Sequence, residues 1–145
     1  MNRRMRWPMV VLTLLAALSG CGRGTPEAAL RAQLQEMQDA AAQGKTGDFM
    51  QGVAADFTGN EGMDRAALHN LLRMQTLGKS DIGVTTSPVE IDMQGEHATV
   101  RFTAVLTGGN GRFLPDSAQV YAISSGWRIE DGKWRVYYAQ WRTDP

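Results

Sequence analysis

The chain has 145 residues, and its 15 basic and 15 acidic side chains cancel to a formal charge of zero. That balance supplies no basic stripe for nucleic acid, and a single cysteine cannot form an intrachain disulfide. Stability must come from an apolar core, which one domain of this size can build.

The chain opens on "MNRRMR", with three arginines and no acid, followed by the uncharged "WPMVVLTLLAAL" from Trp7 to Leu18. A membrane-spanning helix needs roughly 20 apolar residues, so this run is too short. Basic start, short apolar stretch and the small Ser19 and Gly20 are the three parts of a secretory signal. Cys21 comes next. The stretch "LSGC" resembles the bacterial lipoprotein box, and the match runs over residues 1–21. It implies removal of residues 1–20, acylation of Cys21 (palmitate or a similar chain) and a tether over 21–25. Two acyl chains hold a protein on a bilayer where one binds only marginally. By the same resemblance, Gly22 in place of Asp directs the protein to the outer membrane, facing the periplasm. The alternative, a free thiol in an exported domain, would be open to oxidation. Loss of Arg3, Arg4 and Arg6 leaves 12 basic against 15 acidic residues, a formal charge of −3. No later run is long and apolar enough to span a membrane, and residues 26–145 are expected to form one domain.

Thr25 and Pro26 open the first helical segment, as N-cap and first helical residue. Leu30, Leu34, Met37 and Ala41 make one apolar stripe, and Gly44 ends it. Thr46 is expected to cap a second, short helix, with Asp48 in its first turn and Phe49, Met50 and Val53 as its apolar side. Residues 55–62 read as a loop. Asp64 is the expected N-cap of a third helix, with Met63 and Leu68 as a hydrophobic staple. Leu68, Leu71, Leu72 and Gln75 share one face of it, and it ends near Gly78.

The period then changes to two. "VEIDMQGEHATVRF" reads as a hairpin turning at Gln94-Gly95, which pairs Ile91 with Ala98 and Val89 with Val100. Pro88 marks a bulge or an edge. The second strand, about 97–107, sends Ala98, Val100, Phe102, Ala104 and Leu106 inward, and "GGNG" ends it. "AQVYAISSGWRIEDGKWRVYYAQW" is a second hairpin, turning at Asp131-Gly132. Its register opposes Ile129 with Trp134, Trp127 with Val136, Ser125 with Tyr138 and Ile123 with Gln140. The expected class is therefore α+β, with three helices packed on one face of a curved antiparallel sheet of about four strands.

Three amphipathic helices, "DF" after the second, and the terminal "GWRIEDGKWRVYYAQW" resemble the nuclear-transport-factor-2-like superfamily. This is the cone-shaped fold of ketosteroid isomerases and SnoaL-like cyclases, and the similarity spans most of residues 26–143. The resemblance implies a pocket between helices and sheet, lined by Phe57, Phe102, Ala104, Ser125, Val136, Tyr138 and Gln140. It also implies that members often pair through the outer sheet face. There Arg101, Arg128, Arg135, Tyr137 and Trp141 accompany small residues, a mixture that interfaces use. An isomerase-type enzyme needs a carboxylate base and an oxyanion donor, and Asp56 and Tyr138 are the candidates.

Other chemistries lack parts. His69 and His97 fall on different elements and make no metal site. No thiol remains after acylation of Cys21, and "GGNG" lies between strands, where it cannot cradle a phosphate at a helix start. No cofactor is expected. The sequence thus points to a lipid-anchored periplasmic binding or accessory module for a small apolar ligand or a partner protein. An isomerase- or cyclase-like enzyme is the alternative.

Overall fold

The computed structural model describes residues 24–77, 81–109 and 117–144. Cys21 and the leader lie outside these residues, as does Gly78. Three helices precede most of the sheet: α1 Pro26–Ala42, α2 Thr46–Gln51 and α3 Arg65–Thr76. Six strands follow the order β1 Val53–Thr58, β2 Asp81–Thr86, β3 Glu90–Gln94, β4 His97–Gly109, β5 Ser117–Glu130 and β6 Lys133–Thr143.

The helix ends follow the expected chemistry. Thr25 Oγ1 accepts from the Ala28 amide at 3.1 Å, and Asp64 Oδ1 accepts from Ala67 at 2.8 Å. At the end of α1, Lys45 donates to the Ala40 carbonyl at 2.8 Å and Gly44 to Ala41 at 3.1 Å. This is a Schellman closure, and Gly44 takes the left-handed conformation it requires. Two expectations change. Ala40, not Ala41, completes the buried stripe of α1, because the helical advance from Met37 is three residues. Lys45, not Thr46, precedes α2, and no side chain caps that helix. The Thr46 hydroxyl instead lies 3.3 Å from His69 Nε2 on α3. Arg65 ties α3 to the preceding corner by donating to the Met50 and Val53 carbonyls.

The sheet is larger than expected and mixed. Its order is β1-β6-β5-β4-β2, with β3 also paired to β4. Residues 55–62 are not a plain loop. Val53–Thr58 is a strand parallel to β6, and a single 3-10 turn follows at Asn60–Gly62. The long β4 pairs β3 over its first half and β2 over its second. At the break between them, Ser87 replaces the ladder. Its amide donates to Thr103 O at 2.8 Å, and its Oγ accepts from Thr103 N at 2.9 Å. Pro88, with no amide to give, sits at that break as an edge residue.

Both hairpins depart from the expected register. In the first, Ile91 faces Val100 and Met93 faces Ala98. Gly95, at φ +65°, takes the first central position of the turn. The slip is two residues, so apolar still faces apolar. In the second, Asp131 and Gly132 both have positive φ, the type I′ requirement. Ile129 faces Trp134 and Trp127 faces Val136 as expected. The register then shifts: Gly126 faces Tyr138, Ser125 faces Ala139, and Ile123 faces Trp141. Tyr137 is the extra residue of a β-bulge. Beyond it, Ala139 and Trp141 turn inward while Tyr138 and Gln140 turn outward.

The core joins the helices to the inner sheet face. Leu30, Leu34 and Met37 of α1, Met50, Phe57 and Leu68 pack on Ala98, Val100, Trp127, Trp134 and Val136. Leu71 and Leu72 are half-buried, while Gln75 is exposed. Trp134 Nε1 donates to the Pro26 carbonyl at 3.0 Å and pins β6 to the start of α1. No helix among the described residues is long and apolar enough to cross a membrane.

Candidate functional site

The residues expected to line an inner pocket divide into two groups. Phe57 and Val136 belong to the core cluster, the partly buried Phe102 packs against it, and Ala104 is buried. Ser125 is 5% exposed. Its hydroxyl accepts from Trp127 Nε1 at 2.8 Å and lies 3.4 Å from the Val100 carbonyl. Its hydrogen-bonding needs are met inside the protein, with no ligand required. Tyr138 and Gln140 form the second group. The bulge turns both to the outer face, where Tyr138 is 37% exposed.

Two neighbouring features occupy the outer face. Nearest the hairpin turns lies a charged network. Arg128 bonds Asp56 and Glu130, and Arg135 Nε lies 3.9 Å from Glu130. The Arg128 guanidinium stacks over Tyr137 at 5.0 Å, and His97 meets the same ring edge-on at 6.2 Å. Hydrogen bonding from Arg128 holds the Asp56 carboxyl below the usual carboxylate range. Asp56 and Glu130 in turn hold Arg128 above its ordinary value. Gly126 makes room for this stack, because a Cβ there would fall 3.0 Å from the Tyr137 ring.

Further along the same face, an open cleft of about 720 Å³ crosses β4, β5 and β6. Strand pairing arranges its outward residues in two rows, Arg101–Ser124–Gln140 and Thr103–Ala122–Arg142. Asn60 flanks one side, and Ser87, Pro88 and Glu90 flank the other. Asn60 is fixed by its amide, which donates to Trp141 O at 2.6 Å and accepts from Trp141 N at 3.1 Å. It thereby continues the sheet edge with a side chain. Of the residues expected at a pairing face, Arg101 lies in the cleft, and Arg128, Arg135 and Tyr137 lie in the charged network. Trp141 turns inward and packs against the core.

By sequence, no family model matches the chain, and no curated protein does. By structure, it superposes on a candidate scytalone dehydratase from Novosphingobium aromaticivorans with a TM-score of 0.72 and 16% identity, covering 82% of this chain and 84% of that one. A candidate dehydratase of the NTF2-like family from Streptomyces avermitilis gives 0.69 and 14%, covering 83% and 99%. An NTF2-like protein from Cytophaga hutchinsonii gives 0.66 and 13%, covering 83% and 100%. The fold is nuclear-transport-factor-2-like. At these identities the likeness concerns architecture alone.

Within this nuclear-transport-factor-2-like fold, Asp56 and Tyr138 do not converge on an enclosed site. Asp56 has 67% of its side chain exposed and is ion-paired to Arg128. Its carboxyl is pushed down, whereas a general base working near neutrality is usually pushed up. Neither residue lines the outer cleft. No cluster of metal-ligating side chains occurs among the described residues. Arg142, Asn60 and Thr103 were not singled out from sequence. Arg142 could have been found only by knowing the bulge, which sets its face.

Proposed function

We propose that the chain is a lipid-anchored, periplasm-facing binding or accessory module that works through the outer face of its sheet. The reading rests on the contrast between the two faces. The inner residues that would have lined an apolar cavity pack in or against the core, whereas the outer face carries an open cleft with both polar and apolar lining. An apolar ligand held inside the cone therefore gives way to a ligand or partner protein held outside it. Acylation of Cys21 supplies the membrane contact, and a short tether keeps the cleft close to the bilayer surface.

Native mass spectrometry of protein extracted from its own membranes tests the reading. A bound mass that is lost in Ser124→Trp, which fills the cleft floor, is the expected result. The same spectra from wild type and Ser124→Trp would overturn it. Self-pairing through this face would lean on Arg101, since Arg128 is already held by Asp56 and Glu130. Sedimentation unchanged by Arg101→Glu removes that version.

An isomerase- or cyclase-like activity is the second reading, favoured by the dehydratase descriptions of two structural neighbours. Turnover that persists unchanged in Asp56→Asn would remove Asp56 from it.

A further inference from the structure

The cleft on the outer face has an arrangement that narrows its ligand. Its floor is a grid of two rows and three strands, with the small Ala122 and Ser124 in the middle. Arg101 and Arg142 stand at diagonally opposite corners, one on β4 and one on β6. Strand spacing and rise set them roughly 12 Å apart along that diagonal. Among the described residues neither forms an ion pair, whereas Arg31, Arg128 and Arg135 each face a carboxylate within 4 Å. Arg65 is spent on main-chain carbonyls.

Two uncommitted guanidinium groups over a small, hydroxyl-bearing floor match an oxyanion. Arginine presents a planar fork that bonds a carboxylate or phosphate through two parallel N–H donors. Ser124 and Gln140, in register with Arg101, add neutral donors beside it. The flanks set a limit on charge. Glu61 and Glu90 line the cleft rim, Glu90 directly across the ladder from Arg101 but not ion-paired to it, so a large polyanion reaching the rim meets repulsion that a small anion seated between the arginines avoids. Resting on the binding-module reading above, we propose that this cleft binds a small ligand bearing one or two oxyanion groups, carboxylate or phosphate. The two arginines clamp it from opposite corners.

The test is an amide-shift titration of the full chain in detergent, with inorganic phosphate and succinate as separate probes. Saturable shifts at Ser124, Gln140 and Arg142 are expected for at least one probe, at millimolar concentration or below. Arg101→Gln or Arg142→Gln should raise the midpoint at least about tenfold, the scale of one charged hydrogen-bonded contact. Arg73→Gln, on the exposed flank of α3, should leave it unchanged. Added sodium chloride should weaken binding in the wild type, which reads the same charge without any substitution. Response to phosphate alone assigns a phosphoryl group, and response to succinate alone a carboxylate. Absence of saturation with both probes up to about 50 mM, or shifts that persist in both arginine variants, overturns the proposal. If Ser124→Trp strips a bound mass but neither probe binds, the binding-module reading stands and the oxyanion assignment falls.

Discussion

Ser125→Ala should destabilise the domain although it removes a single oxygen from an apolar surrounding. Ser125 is 5% exposed, and its hydroxyl is the acceptor for Trp127 Nε1 at 2.8 Å. Trp127 itself is 2% exposed, so water cannot replace the lost acceptor. Leaving a buried donor unpaired costs about 1–3 kcal/mol. For a domain of this size that is a fall in Tm of roughly 4–12 °C, at about 4 °C per kcal/mol. Trp127→Phe alone should cost about 1–2 kcal/mol from lost packing. In the double variant the orphaned N–H is absent, so the two effects should fall short of their sum by about 1 kcal/mol. Urea denaturation followed by fluorescence and circular dichroism gives all four corners of the cycle. A Ser125→Ala variant within about 0.5 kcal/mol of wild type, or strict additivity, would show that the Trp127 contact does not carry the cost.

Other perturbations read different parts of the molecule. Arg65→Ala should lower stability by about 1–3 kcal/mol, because two main-chain carbonyls lose a charged donor, and amide exchange should quicken around Met50 and Val53. Gly132→Ala should cost about 1 kcal/mol by forcing a side chain into left-handed backbone, seen as a lower urea midpoint. Asp56 has a depressed pKa when folded, so its stabilising contribution is present above the unfolded carboxylate value near 3.9 and is lost as pH falls through the folded value. The stability gap between wild type and Asp56→Asn should therefore be constant near neutrality and close in acid, as an acid-titration melt can show. Cys21→Ala should abolish partition into detergent and release the protein from the membrane fraction. Partition that survives the substitution would count against acylation at that residue.

Much of the architecture was legible because local chemistry and periodicity agreed. Thr25, Asp64 and the Asp131-Gly132 turn each acted through a short-range bond or dihedral that sequence can state. Other features depended on remote partners. Val53–Thr58 shows no alternation, with burial on both sides of two exposed residues, because its register against β6 shifts between Val53 and Thr58, and its partner strand lies about eighty residues away. Asp81–Thr86 pairs, among the described residues, with the far half of β4. In the candidate site, Arg101, Arg128, Arg135 and Tyr137 were read onto the correct face. Tyr138, Gln140 and Trp141 were not, since a one-residue bulge between two adjacent tyrosines leaves no compositional mark.

That bulge gives β6 two phases. Before Tyr137 the even positions, Trp134 and Val136, are the buried ones. After it the odd positions, Ala139 and Trp141, turn inward and are partly buried. A saturation scan of the strand should therefore show tolerance to charged residues alternating normally, then skipping a beat at Tyr137 and resuming out of step. One extra residue decides which half of the strand's alphabet is open to change. The outward positions 138, 140 and 142, the last two in the cleft, are thus free to diverge without disturbing the hydrophobic interior.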